Sequence, residues 1–295
     1  MNLLRNPEFV RNCWLELTPQ RLLAAPAILG LIFLLSYFAD KHSFGVHDVA
    51  MTLFVLMTVM WGAKLAGDSL TEELIQGTWD TQRLSGLSAG QMTLGKLFGG
   101  PVFGWYGGVI CALAYLVFAP ADSGWPTLRS LLVAMGTAVS FHAATLLSGL
   151  TLWRKFPQQL AQRARSRGVG LVLILFVAPQ LLVWLVSSKR VQGSVTWYGM
   201  GFDSADFTLL CVILAVFWST YGLYRAMREE LAFRDAPLAW LAFLLFIFAF
   251  SGGWFYGEGH DASGFMSAAP PVLRHLAFCA SLSWAATYVL LFSER

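Results

Sequence analysis

The chain has 295 residues, of which 57% are hydrophobic and only 13% charged, with a mean hydropathy of +0.60 and a formal net charge of +3. That composition describes a polytopic membrane protein, and apolar segments use so much of the length that a separate soluble catalytic domain is excluded. The small net charge says little about partners.

The first expected element is an amphipathic helix. Asn6 can cap it, Pro7 suits its first position and Glu8 its first turn. Phe9, Val10, Cys13, Trp14 and Leu17 then recur on one face, and Glu8, Arg11, Asn12 and Glu16 occupy the other. Too short and too polar to span, and ended near Thr18-Pro19, this segment within 1–21 is expected to lie in the cytoplasmic interface, although a solvated helix would carry the same pattern.

A span needs roughly 20 mostly apolar residues. Eight stretches qualify, near 22–39, 48–66, 97–118, 130–152, 169–186, 207–224, 237–256 and 272–292. The expectation is therefore an all-α polytopic membrane protein, with a single transmembrane domain over 22–295. A cytoplasmic N-terminus places fifteen of the twenty Lys and Arg residues inside and leaves Lys41, Arg129, Lys189, Arg190 and Arg274 outside. This asymmetry follows the positive-inside rule and supports an even number of spans with both termini cytoplasmic. The cluster Arg154, Lys155, Arg163, Arg165 and Arg167 lies between two spans, which suits lipid headgroups; nucleic acid is not an expected partner.

The polar interval 65–96 separates the second and third spans. Thr71, a possible cap, with Glu72 and Glu73 opens a helix-like stretch that Gly77 interrupts. Thr78, Trp79, Asp80, Thr81, Gln82 and Arg83 resume it with an exposed aromatic among charges, and Leu84 to Gly90 form a flexible turn. A short helix of this kind suits docking into a groove on a partner protein. Gly90 to Lys96 also satisfies GxxxxGK, the pattern of a phosphate-binding loop. Leu97 stands where that loop needs Ser or Thr, no strand precedes it and an apolar segment follows, so nucleotide is not expected to bind here.

The order Glu73, Gly77-Thr78, Leu84, Ser88 and Gly95-Lys96 resembles the loop after the second span in permease subunits of type-2 ATP-binding-cassette exporters, with the likeness running over residues 6–118. The resemblance implies a coupling helix that docks on separate ATPase subunits, which bind the ATP and Mg, and a second permease chain, like or unlike. It also implies a bacterial inner membrane location and no cofactor in this chain. Glu72, Glu73, Gly77, Thr78, Trp79, Asp80 and Arg83 are then the expected coupling residues. Two departures stand out: Gly86-Leu87 where the family usually has a proline, and eight expected spans where it usually has six.

Within the spans, Gly95, Gly99, Gly100, Gly104 and Gly108 offer a face for close helix approach, and Ala277, Ala280, Ser281, Ser283, Ala285 and Ala286 repeat the device. Either can serve the bundle or a dimer. His142, amid the fourth span, is a candidate intramembrane polar site, though a neutral histidine bonded to a neighbouring helix explains it as economically. So few intramembrane charges argue against an ion-driven transporter and favour an apolar or amphipathic substrate moved by external power. Glu258, His260 and Asp261 lack further His or Cys ligands and read as a solvated turn, not a metal site. Trp125, Trp197, Tyr198 and Trp254 read as interfacial belt residues. No nucleophile elbow and no paired carboxylates stand in a plausible site, so enzymatic activity is not expected. The principal alternative is a membrane scaffold or assembly factor docking a cytoplasmic partner; an intramembrane enzyme would have to centre on His142 or His260.

Overall fold

A computed structural model describes residues 5–39, 45–155, 193–233, 238–256, 270 and 272–281. In chain order they form α1 (Pro7–Glu16), α2 (Pro19–Ala39), α3 (Val46–Gln76), α4 (Thr78–Leu84), α5 (Ala89–Gly99), α6 (Val102–Val117) and α7 (Gly124–Lys155). The hairpin β1 (Ser194–Trp197) and β2 (Met200–Asp203) follows, then α8 (Ser204–Glu230), α9 (Leu238–Phe255) and α10 (Val272–Ser281).

Five of these helices, α2, α3, α7, α8 and α9, are long and apolar enough to cross a membrane, and the bent pair α5–α6 makes a sixth if it is one span. The chain is thus a helical integral membrane protein, but the described residues hold fewer than the eight spans expected. The stretch 169–186 lies outside them, as do Arg163, Arg165, Arg167 and the Glu258, His260, Asp261 loop. Of 272–292 only the part to Ser281 is described, where α10 is too short to span, and Ser283, Ala285 and Ala286 fall beyond it. The elements group into two compact units, one drawn from 1–189 and 209–234, the other from 190–208 and 235–295.

In the first unit, α6 lies against α3 along the glycine stripe. A Cβ on Gly104 would stand 2.8 Å from the Met57 carbonyl oxygen and 3.3 Å from Gly62 Cα, and one on Gly100 would meet Ser69 Oγ at 2.7 Å. Gly108 faces Thr58 and Phe54, whereas Gly95 and Gly99 face α1. Both sets are used inside the chain. Backbone this close lets dispersion and polar contacts act where lipid offers no hydrophobic drive between helices. The 55° bend between α5 and α6 falls at Gly100-Pro101, just after a π-helical turn over Gly95–Gly99. Pro26 in α2 has no N–H to give the Leu22 carbonyl, and the Tyr106 hydroxyl of α6 donates to that carbonyl at 2.9 Å.

The second unit contains an element the sequence reading did not foresee. β1 and β2 pair antiparallel with Trp197 opposite Met200, and the turn places Tyr198 and Gly199 at φ of 49° and 75°, as a two-residue hairpin loop requires. Trp197 and Tyr198, read as belt residues, lean on α9 at Gly252 and Gly253. The Trp197 indole N–H donates to the Phe250 carbonyl at 3.0 Å, and the Tyr198 hydroxyl to that of Ala249.

The glycine seat has a direct test. Gly104→Ala should lower the melting temperature of the detergent-solubilised protein, because its methyl meets backbone, while Gly30→Ala, with open space around it, should leave it unchanged or raise it.

Candidate functional site

The interval 65–96 is more ordered than its composition suggested. α3 runs unbroken through Thr71, whose hydroxyl bonds back to the Gly67 carbonyl at 2.7 Å, so no new helix opens at Glu72. It ends at Gly77, where φ of 73° and an N–H to the Glu73 carbonyl form a left-handed cap. The seven residues of α4 follow, and Gly86, also at φ 73°, turns the chain toward α5. Ser88 caps α5 through a reciprocal box with Gln91, so Ala89 and Gly90 are helical, not part of a flexible turn. Gly90 to Lys96 is accordingly helix, not a phosphate loop.

Beneath this segment lies a cluster of four charges. Lys96 has no exposed side-chain surface; its Nζ is 2.6 Å from Glu8 Oε1 and is also paired with Glu73. Arg11 bridges the same carboxylates, 2.9 Å from Glu8 Oε1 and in contact with Glu73. Two cations and two anions balance, which is the condition for holding charge away from water. Asn12 Nδ2 donates to the Glu8 carbonyl at 2.9 Å and to its carboxylate at 3.2 Å. Asn6 accepts the Glu8 N–H, the cap expected of it, and donates to the Gln91 carbonyl at 2.7 Å.

The cluster reverses the sense of α1. Its polar face, with Asn6, Glu8 and Asn12 buried, is turned into the protein, while Trp14 (83%) and Leu15 (62%) are exposed. Gly95 makes room for it, since a Cβ there would stand 2.6 Å from the Glu8 side chain.

The expected coupling residues divide into two sets. Glu72, Gly77, Thr78, Asp80 and Arg83 are exposed, with Arg83 paired to Asp80 at 3.3 Å, and Leu84 beside them is 87% exposed. Glu73 and Trp79 are buried, so Trp79 is not the exposed anchor it was expected to be. Its ring centroid lies 5.8 Å from Lys96 Nζ, and its indole N–H donates to Glu230 Oε2 of α8 at 3.3 Å. Arg154 of α7 holds the other Glu230 oxygen, at 2.7 Å from Nε and 2.6 Å from Nη2, and reaches Glu229 at 3.0 Å. Glu8, Arg11, Lys96, Arg154 and Glu230 were missed as site residues. The signal available for α1 was a polar stripe with both charges and amides, the kind that seeks partners as readily as water.

His142 stands apart from this site, fully buried against α3. A carbonyl can only accept, so its Nε2 carries the proton and donates to Thr58 at 2.8 Å, within the π-helical turn Leu56–Trp61. Gly62 admits the ring, and Trp105 meets it edge-on at 5.4 Å. These contacts fit a packed structural histidine. No family model, curated protein or solved structure matches the chain.

Burial alone would raise the Glu8 carboxyl, but Lys96 and then Arg11 outweigh it and hold the group below its ordinary 4.5. The unfolded chain therefore binds more protons in that window, so the contribution of Glu8 is complete above pH 4.5 and is lost as pH falls through the lower folded value. Thermal melting of the solubilised protein should decline below that pH, and Glu8→Gln should show a lower melting temperature at neutral pH with a flatter acid limb.

Proposed function

We propose that the chain is the permease subunit of an ATP-binding-cassette exporter, and that α4 couples it to a separate ATPase subunit. The supporting observation is the two-sidedness of α4: Trp79 is buried inward, while Asp80, Arg83 and Leu84 face outward with no covering element among the described residues. Burying a leucine is worth roughly 1.5–3 kcal/mol. On the aqueous side of a membrane protein, a leucine 87% exposed beside a charge pair suits a partner's groove.

In this reading the N-terminus, α1 and α4 are cytoplasmic, and ATP and Mg belong to the partner. Closure of the ATPase subunits pushes α4, the attached α3 and α5–α6 tilt, and access alternates at the interface with a second permease chain. The substrate is apolar or amphipathic, in keeping with spans that offer few charges. The chain itself has no catalytic role, and it resides in a bacterial inner membrane.

Glu73 and Trp79 are poor probes of docking because their loss would disturb the interior. Asp80→Ala/Arg83→Ala/Leu84→Ala changes only exposed side chains. The wild type should co-purify in mild detergent with a protein bearing ATPase motifs, and the triple variant should insert normally yet lose at least about tenfold of that affinity, on the scale of one buried leucine. A partner without ATPase motifs would instead support a scaffold or assembly factor, and undiminished capture by the triple variant would overturn the assignment of the docking face.

A further inference from the structure

We infer that Trp79 carries movement of α4 to α7 and α8, two spans to which the segment has no direct chain connection, and that the Glu230 carboxylate is the receiving group. This rests on the coupling reading above and adds to it a route for the force.

The chain connections of α4 lead only to α3 and α5, through a glycine turn at each side, so α7 and α8 are reached by side-chain contact alone. At one end is Gly77 and beyond the other is Gly86, both in the left-handed region, and a Cβ at either would find nothing within 4 Å. A seven-residue helix is also too short to be stable by itself, so its orientation depends on what its side chains grip. Trp79 is the large buried side chain of α4, packed in the same apolar cluster as Leu150 of α7 and Leu223 and Met227 of α8.

Its polar atom is specifically engaged. The indole N–H donates to Glu230 Oε2, while the second oxygen of that carboxylate is held by Arg154 through both Nε and Nη2. One carboxylate therefore joins α4, α7 and α8. Arg154 Nη2 also reaches the Ala226 carbonyl at 3.5 Å, and its Nη1 reaches Glu229, so the guanidinium is fixed to the last turns of α8 from several directions. A displacement of α4 that keeps Trp79 in place must carry this end of α7 and α8 with it. One that does not must break a part-buried hydrogen bond to a charged acceptor.

Trp79→Phe keeps an aromatic ring but removes the donor; Glu230→Gln approaches the same bond from the other side and weakens the hold of Arg154. Neither touches the exposed face of α4. The experiment uses the complex of the full chain with its co-purified ATPase, with spin labels at Thr81 on α4 and Leu152 on α7, both exposed. In the wild type, ATP with vanadate should leave the distance between these labels unchanged, because the two elements move together. In each variant the ATPase should stay bound, while that distance shifts or broadens on adding ATP with vanadate. Permease-stimulated ATP hydrolysis should also fall about tenfold, the scale of one hydrogen bond to a charged group. A purely structural role would lower the melting temperature without making the label distance nucleotide-dependent. Should the wild type capture no ATPase, the coupling reading itself fails and the inference with it. Should the ATPase bind and both variants keep the wild-type distance and hydrolysis, only the route through Trp79 is overturned.

Discussion

Lys96 carries its ammonium where no water reaches it, and this single requirement organises one end of the bundle. A lone buried cation is costly by several kcal/mol, so Glu8 and Glu73 must stay beside it, and Arg11 balances the second carboxylate. Glu73 is part of the last turn of α3, Lys96 lies in the π-helical turn of α5, and Glu8 opens α1. Three elements far apart in the chain are thereby fixed by one neutral cluster. The glycine at 95 exists in the same context, because a side chain there would push Glu8 away.

The arrangement of α1 follows. With its polar stripe committed to Lys96, Glu73 and Gln91, α1 leaves Trp14 and Leu15 exposed, with no covering element among the described residues. An amphipathic helix on a soluble protein turns its apolar face inward. In α1 the faces exchange roles, the polar one buried and Trp14 and Leu15 exposed.

Much of this was legible in the sequence where the signal is local. Asn6-Pro7-Glu8 marks a helix start by capping chemistry, Gly77 marks a helix end by its conformational freedom, and long apolar runs mark spans by length alone. What could not be read depends on distant partners. Nothing local in Thr-Trp-Asp says that the tryptophan turns inward, since its partners are Lys96 and Glu230. Nothing in the polar stripe of α1 distinguishes water from a buried lysine 88 residues beyond Glu8. The hairpin before α8 escaped because its strands are four residues each and its aromatic content resembles that of a membrane belt. The two-faced nature of α4, exposed through Asp80, Arg83 and Leu84 and anchored through Trp79, is therefore a property of the fold.

The most direct measurement of the central interaction is hydrogen–deuterium exchange on the Lys96→Met variant in lipid nanodiscs. Methionine fits the length of the lysine but leaves Glu8 and Glu73 with Arg11 alone between them, a loss of about 3–5 kcal/mol for a broken buried pair. The expected result is that residues 7–16 of α1 and 89–99 of α5 lose protection together, while α2 and α6 exchange as in the wild type. Loss confined to one of those two segments, or unchanged protection in both, would contradict the claim that a single buried cluster holds them.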